Sequence, residues 1–406
     1  MNEQQPESVA SAAPSATAWR SRNVVTLGTA SLCTDVASEM VMPLLPTFLQ
    51  RELGGGPAVL GRIEGTADAV SSVLKLFAGR WADRLGRNVP LIVAGYLIAS
   101  AARPLVALAR VPWHVLAVRV VDRVGKGIRT SPRDALIAAS VPAAQRGRAF
   151  GFHRAMDHTG AVIGPLVAAV LLSLWSADLR RIFGWAALPG GLAVLVLLFG
   201  AREAPAPKAS GGSAGTADEP LDDPPDGLAL VRLLVPIGLF GLGKASDVFL
   251  LVKASATRAP LLELPLLWMV FHLVKATVSV PGGQLADRIG ARGTIVLGWL
   301  VHATVFVAFA FAEAQWMIWT LFVVYGVHHG LTEGAEKALV ASLARTRRGT
   351  AFGWYHLTVG LIALPASALF GQLWDGFGPR VAFLASAGLA AAAVLALVTL
   401  VRVRRP

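Results

Sequence analysis

What most constrains this chain is a succession of twelve mostly apolar runs, each long enough to cross a bilayer as a helix. A spanning helix needs roughly 20 such residues. The runs lie near 24–50, 57–79, 89–109, 112–136, 150–174 and 184–200, then near 230–252, 262–284, 293–311, 315–342, 351–373 and 380–401. They predict an all-α integral membrane protein, with 12 transmembrane helices in two pseudo-symmetric six-helix bundles. Composition agrees. Of the 406 residues, 54% are hydrophobic and 15% charged, where a soluble domain carries about a quarter charged residues.

The formal charge of +12 would suit a nucleic-acid binder if it were gathered in one patch. The basic residues sit between the apolar runs instead, which is the distribution of positive-inside topology, so no nucleic-acid partner is expected. No charged start followed by an apolar stretch precedes Arg20 and Arg22, so the first run is expected to stay in place with its N-terminus in the cytoplasm. Even-numbered helix ends then share that side with both termini. They hold Arg80, Arg84, Arg87, Arg146, Arg148, Arg288 and Arg292, against a sparser set on the other side that includes Arg51, Arg110 and Arg180. Arginine outnumbers lysine amid abundant Ala and Gly, which suits a bacterial inner-membrane protein. The expected organisation is a disordered cytoplasmic tail at 1–22, one bundle at 23–200, a flexible cytoplasmic linker at 201–229, a second bundle at 230–402 and a short tail at 403–406. The linker is rich in Pro, Gly, Ser and Asp and cannot bury apolar surface. A lone cysteine, Cys33, excludes a disulfide framework and a thiol metal cluster.

The two sets of runs repeat one another. GRWADRLGR at 79–87 recurs as GQLADRIGAR at 283–292, placing Asp287 204 residues after Asp83. RGRAFGFH at 146–153 recurs as RGTAFGWY at 348–355, placing Gly349 202 residues after Gly147. Two separate pairs at nearly one offset mark an internal duplication of a six-helix unit.

G-x-x-x-D-R-x-G-R between the second and third helices resembles the signature loop of the major facilitator superfamily. TDVASEMVMPLLPTFL at 34–49, DRVGKGIRTSPRDALIA at 122–138 and GLTEGAEKALVASL at 330–343 resemble a bacterial permease subgroup of it. The resemblance covers nearly the whole chain outside the N-terminal tail and the linker. It implies alternating access through a cavity between the halves, driven by protons or another gradient, with no cofactor. A cytoplasmic gate would consist of Gly79, Asp83, Arg84, Gly86 and Arg87, with Gly283, Asp287, Arg288 and Gly290 in the second copy. The glycines allow close backbone approach, and Asp83 can accept from a neighbouring helix N-terminus or pair with an arginine of the other bundle. The arginines alone would also enforce topology. The second copy departs from the pattern, because Ala291 takes the slot of Arg87 and Arg292 follows.

Charges inside the spans are the next signal, because each costs about 2.5–3.5 kcal/mol at a helix centre on insertion scales. Asp35 and Glu39 share a face of the first helix. Glu64, Asp68 and Lys75 form a stripe on the second, and Arg119, Arg123 and Lys126 a basic stripe on the fourth. At matching depths these stripes can neutralise one another around a shared cavity, or tie three helices together permanently. The second half carries Lys244, Asp247, His272, Lys275, Tyr325, His328, His329, Glu333 and Glu336. The expected substrate and proton pathway comprises Asp35, Glu39, Glu64, Asp68, Arg119, Arg123, Lys126, Asp247, His272, Tyr325 and Glu333. His153, Asp157 and His356 are candidates for a proton relay or for hydrogen-bonded packing. WHVLAVR at 113–119 resembles the superfamily's fourth-helix arginine motif, linked to proton coupling, with Asp122 and Arg123 replacing its glutamine and glycine. Gly160, Gly164 and Pro165 resemble the fifth-helix motif of the antiporter branch, though small-xxx-small spacing also simply packs helices.

The leading expectation is therefore a monomeric, proton-coupled exporter of a small organic solute, anionic or zwitterionic in character. Import of an organic anion is the alternative favoured by Arg119, Arg123 and Lys126. A metal or metal-chelate permease is a third, resting on His272, His328, His329 and Glu333, which lack a compact ligand motif, so no metal site is expected. The chain has no G-x-S-x-G, H-E-x-x-H or phosphate-binding glycine loop, and no enzymatic activity is expected.

Overall fold

The structure, a computed structural model, describes residues 18–42, 44–54, 57–174, 178–204, 227–244, 247, 249–250, 253–254, 263–344 and 347–401. Among these residues every regular element is helical. The helices are α1 Arg22–Val41, α2 Leu45–Glu52, α3 Pro57–Leu85, α4 Val89–Ala102, α5 Pro112–Ala139, α6 Arg146–Leu174, α7 Leu179–Trp185 and α8 Ala187–Gly200. The second half contributes α9 Gly227–Gly243, α10 Glu263–Ile289, α11 Ala291–Phe311, α12 Gln315–Leu343, α13 Arg348–Phe377 and α14 Pro379–Leu400. Helices suit these sequences because hydrocarbon offers backbone N–H and C=O groups no outside partner.

Among the described residues seven stretches are long and apolar enough to cross a membrane: Val89–Leu108, Ala143–Leu172, Leu179–Gly200, Leu266–Ile289, Ala291–Phe311, Arg348–Phe377 and Pro379–Leu400. Helices α3 and α5 are not among them, because charged residues run along both.

Several boundaries differ from the expected runs. The first run is broken, with α1 ending at Val41 and α2 starting at Leu45 with Pro46 in its first turn. Proline lacks an N–H and fixes φ, so it starts a helix readily and continues one poorly. The third run closes in a 3-10 segment, Arg103–Leu108. The sixth begins earlier than expected, where the Asp178 side chain accepts from the Arg181 N–H and caps α7. The seventh, α9, ends at Gly243. Residues 1–17, 205–226 and 402–406, which hold most of the expected tails and linker, lie outside the described residues.

Within the first half, α1 packs on α6 and α8, α3 on α5, and α4 on α5 and α8. Within the second, α10 packs on α12, α11 on α12 and α14, and α9 on α13 and α14. The halves meet chiefly through α3 against α13 and α6 against α10. These two pairings are the same pairing seen twice, since the repeat equates α3 with α10 and α6 with α13. Phe150 and Phe352, equivalent under the 202-residue offset, are both fully buried and touch each other with ring centroids 5.8 Å apart. They belong to one apolar core that runs from Leu27 of α1 to Trp299 of α11 and so joins both halves.

Backbone approaches backbone along both pairings. A Cβ placed on Gly349 would lie 2.5 Å from the Gly79 carbonyl oxygen, and one on Gly147 would lie 2.5 Å from that of Gly283. Both distances are too short for any side chain.

Candidate transport site and gate

At one end of the molecule two reciprocal carboxylate contacts join the halves. Helix α3 stops at Leu85 and the chain turns at Gly86, whose φ of 62° is the left-handed region that glycine enters without strain. This leaves Asp83 in the last turn, facing the start of α13. Its Oδ1 accepts from the Gly349 N–H at 3.0 Å, and its Oδ2 accepts from the Thr350 N–H and the Thr350 hydroxyl, each at 2.6 Å. The first N–H groups of a helix have no partner within it and carry the positive end of the dipole, so a carboxylate fits there.

The second copy repeats the arrangement with the halves exchanged. Gly290, at φ 87°, turns the chain after α10. Asp287 accepts from the Gly147 N–H at 2.9 Å and the Arg148 N–H at 3.0 Å, with Arg148 Nε 3.5 Å from Oδ2. Arg84, Arg87 and Arg288 are exposed, and none is ion-paired with another described residue. Gly79 and Gly283 supply the close approach beside each carboxylate.

Helices α5 and α12 are sheathed toward this end. Every residue of α5 from Arg129 to Ala138 is buried, and so is every residue of α12 from His328 to Ala341 except Glu333 and Glu336. Toward the other end the same region opens: Lys126 is exposed, and the Asp68 side chain is 67% exposed.

The charged stripes of the first half form one network there. Arg119 grips Glu64 with both arms, Nε to Oε1 at 2.8 Å and Nη2 to Oε2 at 2.6 Å. Arg119 Nη1 and Arg103 Nε hold opposite oxygens of Asp122, at 3.3 and 2.9 Å. Arg123 Nε reaches Asp68 at 3.1 Å. Three arginines thus face three carboxylates, and every partner lies in the first half. Arg119 is enclosed in this network, 3% exposed, and does not line an open surface. Asp35, Glu39, Lys75 and Lys126 have no ion-pair partner among the described residues. Lys126 is within electrostatic reach of Arg123, Lys75, Asp35 and Asp68.

A second set runs down α12, where Tyr325, His329, Glu333 and Lys337 recur every fourth residue. The Tyr325 hydroxyl donates to Asp247 at 2.7 Å, and His329 lies between Asp247, at 3.7 Å, and Glu333, at 3.0 Å. Glu333 also meets Lys275 of α10 at 3.6 Å, and His158 and Arg154 of α6 at 3.1 and 3.8 Å. Nearer the closed end, Lys337 Nζ and His356 Nε2 both donate to Asp134 Oδ2, at 2.6 and 2.8 Å. His272 packs against Trp268 and the His158 ring, and has no ion pair to a described residue.

Gly160 and Gly164 hold α6 against α1: a Cβ on Gly160 would lie 2.6 Å from the Leu32 carbonyl oxygen, and one on Gly164 2.7 Å from the Glu39 Cβ. Pro165 lies inside the same helix. His153 is fully buried, 3.6 Å from Asp157. His328 donates to the Gly298 carbonyl at 2.7 Å. Among the described residues no group of three or more His, Cys, Asp or Glu is placed to hold a metal ion. The sequence reading missed Arg103, Asp134, Arg154, His158 and Lys337. For Lys337 the four-residue spacing along α12 was a usable signal. For the others only the packing of helices from distant parts of the chain reveals the partner.

Known proteins resemble the chain throughout. The family model for the Major Facilitator Superfamily matches residues 27–252 and 228–406. An uncharacterized MFS-type transporter of Methanocaldococcus jannaschii is 32% identical over 377 residues, covering 91% of this chain and 92% of its own. The multidrug resistance protein MdtH of Cronobacter sakazakii is 27% identical over 83% of this chain and 82% of its own. Among solved structures, the human organic anion transporter MFSD10 shares the fold with a TM-score of 0.76, at 17% identity, over 93% of this chain and 99% of that one.

Proposed function

The chain belongs to the Major Facilitator Superfamily, and from that membership and the geometry above we infer that it is a proton-coupled exporter of a small organic solute. It is a multi-pass membrane transporter and not an enzyme. In our reading twelve spans form two six-helix bundles about a near-two-fold axis, and the protein works as a monomer in a bacterial inner membrane with both termini in the cytoplasm. The contact of Phe150 with its own repeat equivalent Phe352 supports the axis, since equivalent residues meet only beside it. The arginines around both Asp83 and Asp287 support placing that end in the cytoplasm.

The observation that carries the reading is the pair of reciprocal contacts at Asp83 and Asp287, with the charged region open at the opposite end. A protein closed at one face by a few charge-assisted bonds, and open at the other, is poised for alternating access. The bonds must break when the cytoplasmic face opens. The multidrug resistance relatives support export over import.

Import of an organic anion is the second reading. Lys126 favours it, being exposed in mid-helix with no carboxylate of a described residue within ion-pair distance. Proteoliposomes test both: counterflow with a panel of radiolabelled organic acids and zwitterions finds the solute, and an imposed pH gradient then shows on which side it accumulates. Accumulation on the acidic side supports the proton-coupled exporter, accumulation on the alkaline side supports the importer, and exchange of no member of the panel overturns the substrate reading.

A further inference from the structure

A gradient can drive transport only through a group that binds its proton more tightly in one access state than in the other. The group must also be reachable by water, and its surroundings must change when the halves move. Glu64 and Asp68 are reachable, but their partners Arg119 and Arg123 lie in the same half. A rigid-body movement of the halves leaves those bonds intact. Asp134 has partners across the seam, Lys337 and His356, but its side chain is 0% exposed and closed off further by Arg133. Asp247 is held by Tyr325 and His329, both in its own half.

Glu333 meets both requirements. Its side chain is 23% exposed, and it sits where α6 of one half meets α10 and α12 of the other. Helix α6 presents Arg154 and His158 to it, with Asp157 paired to Arg154 behind. Helix α10 presents Lys275, with His272 a turn away, and α12 presents His329. Two of these partners therefore leave with α6 when the halves part, and two stay.

The geometry assigns the coupling proton to Glu333. This rests on the reading of the chain as a proton-coupled transporter. In the outward-open state the ionised carboxylate attracts Arg154 and His158 and helps hold α6 against α10 and α12. A proton taken from water in the outer opening onto a Glu333 oxygen removes that attraction and favours the inward-open state. There, with Arg154 and His158 withdrawn, the carboxyl holds its proton more tightly, and the proton leaves to cytoplasmic water only because a solute entering from that side displaces it. One proton moves inward per cycle: the O–H bond formed on Glu333 from outer water is broken to cytoplasmic water, with no net bond change over the cycle.

The test reads the access equilibrium directly. Spin labels at Ala144 and Ser342, exposed positions of opposite halves at the closed end, would be placed in a background lacking Cys33, and their separation followed in lipid nanodiscs. The wild type should gain at least about tenfold in the long-distance population as the pH falls from about 8 to about 5. Glu333→Gln should show the long-distance state at every pH, with no titration. Asp83→Asn should raise that state yet keep the titration, which separates a proton carrier from a simple clasp. If Glu333→Gln does not fold, Arg154→Gln with His158→Gln decides the matter, because Glu333 then has the same partners in both states and the pH response should vanish. Either variant, folded and titrating like the wild type, overturns the proposal. A wild type that does not titrate overturns it together with proton coupling, and leaves the solute-exchange result standing by itself.

Discussion

The two copies of the proposed gate loop repeat one sequence pattern and make nearly one contact, yet they are not equal. Asp83 accepts three hydrogen bonds, two from backbone and one from the Thr350 hydroxyl. Asp287 accepts two, and Arg148 stands at 3.5 Å where Thr350 stands in the other copy. The difference traces to one position of the repeat, RGR against RGT. It teaches that duplication fixed the backbone contact, while the residue after the helix-start glycine tunes its strength. A neutral hydroxyl in direct bond with a carboxylate is geometrically exacting. An arginine at 3.5 Å is a looser partner, more easily screened by salt.

Four substitutions break or sharpen this comparison, each read from the Ala144–Ser342 label distance. The largest effect should come from Gly349→Val. Its Cβ would lie 2.5 Å from the Gly79 carbonyl oxygen and 2.9 Å from Asp83 Oδ1, so the closed end cannot re-form. A penalty of about 3 kcal/mol, more than a hundredfold in population, is expected. Asp83→Asn comes next, losing about 1.5–3 kcal/mol and shifting the equilibrium toward the opened face by more than tenfold. Asp287→Asn should shift it in the same direction but by less; an equal or larger shift would show that Arg148 compensates fully for the missing hydroxyl bond. Smallest is Thr350→Val, which removes one hydroxyl bond worth about 1 kcal/mol and leaves both backbone donors in place. No shift there would mean that the backbone contacts alone set the strength and that the two copies are equivalent.

Much of the fold was legible because its signals are local. Apolar runs of about 20 residues report helices directly, and the recurrence of Asp83 as Asp287 reports the duplication with no structural knowledge. The break in the first run has its local signal in Pro46, which starts α2, but the apolar length of the run masks it. The site was less legible. Spacing groups residues of one helix onto a face, as with Arg119 and Arg123, but pairing between helices depends on their rotation and relative height. Asp134 stood inside a motif noted only for its resemblance, and nothing local tells that its partners lie some 200 residues away at Lys337 and His356. In sequence Asp122 is a departure from a family pattern, whereas the fold places it between Arg103 and Arg119 as their shared counter-charge.

The glycine pairs along α3–α13 and α6–α10 have a consequence for how fast such a molecule can change state. Where Gly79 faces Gly349 and Gly147 faces Gly283, no side chains interdigitate, so nothing there must change rotamer before the helices slide or tilt apart. Such a contact also exposes little apolar area when it opens, and at about 25 cal/mol per Å² the hydrophobic cost of parting is small. On the proposed mechanism these glycine contacts act as a bearing, smooth and closely fitted, beside the apolar contact of Phe150 with Phe352. Friction and preference are thereby assigned to different atoms. In that mechanism the glycines keep the barrier low, and the carboxylates that cross the seam decide which side is open.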